Sequence, residues 1–184
     1  MAAPLHQFEG KYEVLEKIAE GGMGAVYMVR HKLLDVIKVI KVMRPQIEAQ
    51  EGTRARFLHE ARLAIKMRHP NIAQLDDFSM DEDGNAFIVM EYIDGLTLQE
   101  YLQKLGALPS TLALEVARQS LLALGYLHRK KVIHRDISPD NLMLAKDENG
   151  DPLIKLIDLG IAKALQAESN LTATGMFIGK VRYA

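Results

Sequence analysis

The first half of the chain alternates between apolar and polar residues in several stretches, and this pattern predicts β-strands. Four stretches carry it: KYEVLEKIAE, GAVYMVRH, DVIKVIKVM and NAFIVMEYI. Glycines separate the first two, so we expect two strands joined by a glycine-rich turn. The acidic turn DEDGN before the fourth is weakly similar to a calcium loop, but Gly84 stands too early for that pattern. A solvated hairpin turn is the better interpretation.

Helical spacing replaces this alternation in two places. The stretch TRARFLHEARLAIKMRHP puts Phe57, Ala61 and Ala64 on one face of a predicted helix. Further along, Ser110 is predicted to cap a long helix. The residues that recur at helical spacing in this long helix are Leu114, Ala117, Leu121 and Leu124.

A small hairpin is predicted after the long helix, in LMLAKDENGDPLIKLID, with its turn at Asn149–Gly150. A strand-rich half with one main helix therefore precedes a helical half, and we place the hinge near Asp94–Gly95. The predicted fold class is α+β with two lobes, a first domain at 12–94 and a second at 95–184.

Composition limits the classes of protein to consider. The 184 residues are 48% apolar and 26% charged, which is typical of a globular protein. The 23 Lys and Arg balance 24 Asp and Glu, so the net charge gives no sign of nucleic-acid binding or of an anionic membrane. There is no cysteine, no signal peptide and no apolar stretch near the ~20 residues that cross a bilayer. We expect a cytoplasmic location, with no membrane attachment visible in this sequence.

Glycines and a strand lysine suggest phosphate chemistry. Gly21, Gly22 and Gly24 let the backbone approach a bulky ligand, although a glycine-rich hairpin alone is often only a tight turn. Lys38 and Lys41 are separated by an odd number of positions, so a strand would direct them to opposite faces. Only one of the two can point beneath the glycine loop.

Three oxygen-bearing side chains follow in the second half. Asp136 and Asn141 lie in HRDISPDN, and Asp158 lies in IKLIDLG. Hard oxygen ligands of this kind suit Mg²⁺ bridging phosphate oxygens, whereas each residue alone is more often found in an ordinary turn.

The order of these motifs resembles that of the protein kinases, and most closely that of the bacterial serine/threonine kinases of eukaryotic type. The resemblance runs from Tyr12 to the last residue. Glycine loop, strand lysine, helix glutamate, hinge MEYIDG, catalytic loop and DLG follow one another as in that family. It implies ATP and Mg²⁺ as cofactors and proteins as substrates.

The resemblance also implies roles for single residues. Lys41 would hold the α- and β-phosphates, with Glu60 positioning it; Asp136 would orient the substrate hydroxyl; Asn141 and Asp158 would hold Mg²⁺. The family's first loop glycine is Ala19 here, and Leu159 replaces the phenylalanine after Asp158. The remaining implied nucleotide-binding residues are Ile18, Gly21, Gly22, Gly24, Val26, Met90, Glu91, Ile93 and Met143.

The catalytic loop departs from the family at Ser138, where serine/threonine kinases usually carry a lysine that reaches the γ-phosphate. Near the end of the sequence, Lys180 stands where the family usually has threonine. We hypothesise a reciprocal exchange, in which Lys180 supplies the cation and Ser138 the hydroxyl. The alternative is a solvated lysine and a tolerated loss.

Activation-segment phosphorylation is a further expectation. Thr172 and Thr174 lie between DLG and GKVRYA, and a phosphate there could pair with Arg135. The same expectation includes self-association for autophosphorylation. The bland alternative is that both are ordinary loop threonines.

Three competing functions remain open from sequence. A non-catalytic nucleotide-binding scaffold is favoured by Ser138 and Ala19, and a small-molecule kinase or a tyrosine kinase has weaker support. We also expect the 184 residues to be part of a longer kinase, and alone to be marginally stable and poorly active, because helices of the family that cover the long helix are missing.

Overall fold

The structure is a computed structural model, and it describes residues 8, 10–21, 24–43, 61–81, 85–134 and 136–158. These residues fall into two compact units. The first unit takes its residues from Met1–Arg54 and Gln74–Tyr92, and the second from Ala55–Ala73 and Ile93–Ala184. The residues just before Gln74 thus group with the second unit, although strands of the first unit flank them in sequence.

The first unit contains one antiparallel sheet. Its strands lie in the order β1-β2-β3-β5-β4. Their bounds are β1 Tyr12–Gly21, β2 Gly24–His31, β3 Val36–Met43, β4 Leu75–Met80 and β5 Ala86–Glu91. Four of the five were predicted from alternation. The sequence of β4, LDDFSM, does not alternate because two aspartates are adjacent.

The hairpin between β4 and β5 is closed by polar bonds at its base. The Asp81 backbone N–H donates to the Asn85 carbonyl at 3.1 Å, and the Asn85 N–H donates to the Asp81 carboxylate at 2.8 Å. The two strands are antiparallel. This agrees with the hairpin interpretation of the acidic turn.

One face of this sheet carries a buried core. The Phe8 ring packs over it, 5.2 Å from the Phe87 ring and 6.1 Å from the Tyr12 ring, measured between centroids. The core residues are Tyr12, Ala25, Tyr27, Val29, Ile40, Val42, Phe87 and Val89. Since side chains alternate along a strand, the other face of β3 carries Ile37, Val39 and Lys41.

The described part of the second unit contains a three-stranded sheet and the helices α1 and α2. The sheet order is β6-β7-β8. The bounds are β6 Gly95–Thr97, α1 Leu98–Leu105, α2 Ser110–Arg129, a 3₁₀ turn Pro139–Asn141, β7 Leu142–Lys146 and β8 Pro152–Leu156. Residues 61–64 are also helical, and Ala61 and Ala64 are buried, as their spacing predicts.

The β7–β8 hairpin confirms the predicted turn. The Asp147 carboxylate accepts the backbone N–H groups of Asn149 and Asp151, each at 2.9 Å. Gly150 has φ 86°, a left-handed conformation that glycine adopts without strain.

Helix α1 was not predicted, although the sequence contains a capping box for it. The Thr97 hydroxyl accepts the Glu100 N–H at 3.1 Å, and the Glu100 carboxylate accepts the Thr97 N–H at 2.8 Å. The bonds that the Thr97 N–H and hydroxyl donate to the Glu100 carboxylate lower the pKa of Glu100. The T-x-x-E spacing was the available signal.

The start of α2 corrects the expectation for Ser110. Ser110 is the first helical residue, and Pro109 occupies the N-cap without a side-chain bond. Proline fixes its own φ, at −54° here, and its carbonyl accepts the Ala113 N–H at 2.9 Å. The proline therefore begins the helix by conformation, without a serine cap.

Helix α2 has apolar residues on more than one face. The buried face contains Val116, Gln119, Ala123 and Leu127. Leu114 and Leu121, at the predicted helical spacing, are 72% and 68% exposed. None of the helices in the described ranges is long and apolar enough to cross a membrane.

Candidate active site

The two lysines of β3 lie on opposite faces of the first sheet. Lys41 lies opposite Val26 on β2 and Ile88 on β5, in the face away from the aromatic core. Lys38 is on the core side, and its Nζ lies 2.8 Å from the Asp76 carboxylate. Lys38 is thus held in a partly buried ion pair, and Lys41 is the lysine that shares a face with Val26.

Gly24 has a steric reason to be glycine. Its φ is 141°, and a Cβ at this position would lie 1.9 Å from the Val42 carbonyl oxygen. Gly21 is its cross-strand partner at the end of the β1–β2 pair, and Ala19 lies opposite Val26. The close approach of β2 to β3 therefore explains Gly24 without a ligand, and phosphate binding needs other support.

The hinge residues are only partly available to a ligand. The Glu91 backbone N–H donates to the Gln74 carbonyl at 2.9 Å, and the Gln74 N–H donates to the Glu91 carboxylate at 2.6 Å. The Glu91 N–H is therefore already used in a bond within the first unit. Met90 precedes it on β5 and is half-buried.

The other implied nucleotide contacts are divided between the units. Ile18 lies on β1 in the first unit and is 49% exposed. Ile93 and Met143 belong to the second unit, and both are half-buried. Met143 is paired with Thr97 on β6 and Lys155 on β8, whereas Ile18 lies at the bulge of the β1–β2 pair and Ile93 lies between β5 and β6.

The loop that carries Asp136 is held by a buried histidine. His134 is 1% exposed, its Nδ1 accepts the Asp136 N–H at 3.3 Å, and its Nε2 lies 3.2 Å from the Ile157 carbonyl. Because Nδ1 acts as the acceptor, the proton of the neutral ring is on Nε2, where it can be donated to that carbonyl. One side chain thus joins the Asp136 loop to the residue before Asp158.

Asn141 forms a second link in the same loop. Its side-chain Nδ2 donates to the Asp136 carbonyl at 2.8 Å, and its backbone carbonyl accepts the Ile157 N–H at 3.0 Å. Because Nδ2 is used in this bond, the orientation of the amide is fixed and Oδ1 is the atom that remains for a cation. Ser138, whose carbonyl accepts the Asn141 N–H at 2.9 Å, is 2% exposed.

Asp158 has a strained backbone. Its φ is 57°, a left-handed conformation that is uncommon for a residue other than glycine. Strain of this kind costs energy and is concentrated at functional sites. The residue before Asp158 is Ile157, which is bonded to His134 and Asn141. These bonds hold the backbone that leads to Asp158.

The donor set fits Mg²⁺ better than a metal that requires a full protein cage. In the described ranges no group of three or more His, Cys, Asp or Glu could hold a metal ion. Mg²⁺ usually keeps several waters and takes only one or two protein carboxylates. The Asp158 carboxylate and the Asn141 amide oxygen are a donor set of that type.

Several predicted site residues cannot be placed. Gly22, Glu60, Lys180, Thr172 and Thr174 lie outside the described residues. Arg135, the proposed partner of a phosphate, lies outside them as well.

Comparison with known proteins decides the family. The sequence profile of the protein kinase domain matches residues 12–184. The chain belongs to the protein kinase family. The resemblance inferred from its motifs and the predicted kinase fold are therefore confirmed.

The curated relatives of this chain include bacterial serine/threonine-protein kinases. It is 38% identical to Pkn3 of Myxococcus xanthus over 94% of the chain, and 36% identical to PrkC of Bacillus subtilis over 96%. It spans 32% and 26% of the lengths of these two relatives. The crystal structure of the Mycobacterium tuberculosis PknI kinase domain aligns with 86% of the chain at TM-score 0.69 and 30% identity, covering 66% of that domain.

The second unit contains a buried polar network that was not predicted from the sequence. The Gln119 side-chain carbonyl accepts the Ile154 N–H at 2.8 Å and the Asn71 amide at 2.5 Å. Its own amide donates to the Pro152 carbonyl at 2.7 Å and to the Glu115 carboxylate at 2.6 Å. The hydrogen bonds from Arg118 and Gln119 lower the pKa of Glu115 to about 2.

The same network reaches β8, the strand that leads to Asp158. The Leu156 N–H donates to the Asn71 carbonyl, and the Ala73 N–H donates to the Leu156 carbonyl, both at 2.9 Å. The signal in the sequence was a glutamine three residues after Val116 and four before Ala123, and thus on a face whose other members are apolar.

Proposed function

We propose that this kinase transfers the γ-phosphoryl group of ATP to serine or threonine hydroxyls of protein substrates. The observation that best supports the proposal is the loop in which His134 and Asn141 hold the Asp136 backbone and join it to Ile157, directly before the strained Asp158. Phosphoryl transfer needs alignment and charge neutralisation more than covalent catalysis, and fixed oxygen donors supply both.

In this proposal each residue acts through a named group. The Asp136 carboxylate orients the attacking hydroxyl and accepts its proton. The Lys41 ammonium offsets charge on the α- and β-phosphates, and the Asn141 and Asp158 oxygens would hold Mg²⁺. When bound, Mg²⁺ would neutralise phosphate charge.

A non-catalytic scaffold is the second candidate, and Ser138 favours it because the loop lacks the usual lysine. The two candidates separate in a paired experiment on the full-length protein. We expect Mg-ATP to raise the melting temperature and radiolabelled phosphate to reach a generic protein substrate such as casein. A thermal shift without any phosphate transfer would favour the scaffold, and the absence of both would contradict nucleotide binding.

The exchange of Lys180 and Ser138 belongs to the same proposal. A lysine can bring its charge to a phosphate from either backbone, because its stem is long and flexible. The burial of Ser138 supports a small side chain at that position. We expect Lys180→Ala to lower kcat by about a hundredfold, as removal of a transition-state donor does elsewhere.

The matched control for this variant is Lys104→Ala, which removes an exposed lysine from α1. Steady-state rates of both variants at saturating ATP give the comparison. An unchanged rate for Lys180→Ala would rule the exchange out.

Regulation and location stay predictions. These are phosphorylation at Thr172 or Thr174, self-association for autophosphorylation, a cytoplasmic catalytic region and the absence of nucleic-acid partners. The roles of Glu60 and Gly22 also stay predictions, because both residues lie outside the described ranges.

A further inference from the structure

Two short segments concentrate positive charge on one part of the second unit. Their sequences are KMRH at 66–69 and HRKK at 128–131, so seven of eight positions are basic or histidine. Five of the chain's 23 Lys and Arg lie there, although the whole chain has a net charge of −1. We call these two segments the basic patch.

The two segments are adjacent because both contact Tyr126. The Arg68 backbone N–H donates to the Tyr126 hydroxyl at 3.0 Å, and the His69 ring lies 5.2 Å from the Tyr126 ring. The Lys130 ammonium lies 5.9 Å from the centroid of the same ring. Desolvation, followed by the nearby Arg129, lowers the pKa of His69, in agreement with this closeness.

The cations of the patch are exposed, and none of them has an acidic partner among the described residues. Lys66, Arg68, Arg129, Lys130 and Lys131 are all exposed. In the described part of the chain, the ion pairs lie elsewhere and none joins these side chains to a carboxylate. Attraction to the C-terminus of α2 accounts for cations in its last turn, but Lys66 and Arg68 belong to a different segment.

Part of the patch is held rigidly. The Arg68 guanidinium donates through one nitrogen to the carbonyls of Ile65 and Met67, at 2.7 and 3.0 Å, and Lys130 lies near the Tyr126 ring. A guanidinium fixed by two carbonyls presents its remaining N–H groups in a set direction, which suits carboxylates. A membrane surface would require no such fixed orientation, since it attracts charge diffusely.

We propose that the basic patch docks an acidic polypeptide segment carried by the protein substrates of this kinase. The identification of the bound segment as part of a substrate rests on the proposed function, whereas the binding of an acidic segment does not depend on catalysis. Lys131 precedes Asp136 by five positions, so the patch continues into the loop that carries the candidate catalytic residue. A substrate held there would have a raised local concentration at this loop.

The test measures binding and phosphorylation separately in the full-length protein. Binding is followed by the fluorescence anisotropy of a labelled Glu-rich peptide that contains no Ser, Thr or Tyr. We expect the triple variant Arg129→Gln, Lys130→Gln, Lys131→Gln to bind this peptide about tenfold more weakly, because each exposed charge pair contributes roughly a factor of two. The wild-type affinity should fall as salt rises.

The matched control is the triple variant Lys11→Gln, Lys104→Gln, Lys146→Gln, which removes the same charge from exposed positions elsewhere. It should bind the peptide as the wild type does. Equal weakening in both triples, no binding to the wild type, or preferential binding of DNA or phosphatidylserine vesicles at the patch would overturn the proposal.

Two further readouts keep the outcomes distinct. Arg68→Lys keeps the charge but loses the fixed fork, and we expect it alone to weaken binding of the peptide by up to about twofold, the contribution of a single exposed pair. Phosphorylation of a peptide without acidic residues should be equal in wild type and patch triple. If that phosphorylation is absent in the wild type while the Glu-rich peptide binds, the proposed function has failed and the docking site stands.

Discussion

Asp136→Asn in the full-length protein is expected to lower kcat by about a hundred- to ten-thousand-fold, the usual contribution of a positioned general base. Asparagine has nearly the same shape, and the bonds that hold this loop use the Asp136 backbone N–H and carbonyl. The loop should therefore keep its conformation while it loses the proton acceptor. Initial rates at saturating Mg-ATP, with the ATP affinity from a thermal titration, measure the effect.

Asp151→Asn is the matched control for Asp136→Asn. It makes the same change at an exposed turn residue. Its rate should equal that of the wild type. A kcat for Asp136→Asn within about threefold of the wild type would remove Asp136 from the mechanism, since a general base contributes far more than that.

The second large effect is expected from the pair of lysines on β3. Lys41→Met should lower kcat/KM by a hundredfold or more, on the order of the loss of one preorganised donor to transition-state charge. Lys38→Met should leave kcat/KM nearly unchanged, because Lys38 lies on the opposite face and pairs with Asp76. It should cost about 1 kcal/mol or less of stability, since partly exposed ion pairs contribute little.

The two lysine variants control for one another, since they remove the same charge from the same strand. Rates at varied ATP concentration and urea unfolding curves would be recorded for both. A larger rate loss for Lys38→Met than for Lys41→Met would reverse the assignment of the phosphate-binding lysine.

Alternation in the sequence was sufficient to predict four strands of the first sheet, because its buried face imposes a period of two on Tyr27, Val29, Ile40 and Val42. It was insufficient for β4, where Asp76 and Asp77 are adjacent and both exposed. It was also insufficient for β6, which has only 3 residues.

Motif order predicts which residues form the candidate site, but it does not predict how the chain holds them. HRDISPDN names Asp136 and Asn141, yet it does not reveal that Asn141 uses its amide nitrogen to bind the Asp136 carbonyl. The φ of 57° at Asp158 depends on contacts between segments far apart in sequence, so no local pattern predicts it.

Helix α2 shows why a buried polar residue is difficult to find from sequence. The spacing of Leu114 and Leu121 predicts that their face is buried, but both are exposed. The buried face carries Val116, Ala123 and the polar Gln119. Spacing identifies a helix, but only the neighbouring strand decides which side is covered.

The hydrogen bond between the Asn71 and Gln119 side chains should constrain how these two positions evolve. A change at either position alone strands a buried donor or acceptor at about 1–3 kcal/mol, whereas replacing both together can be nearly neutral. Substitutions at these two sites, which are 48 residues apart in sequence, should therefore be correlated. Among homologous sequences, we expect substitutions at Asn71 and Gln119 to occur together.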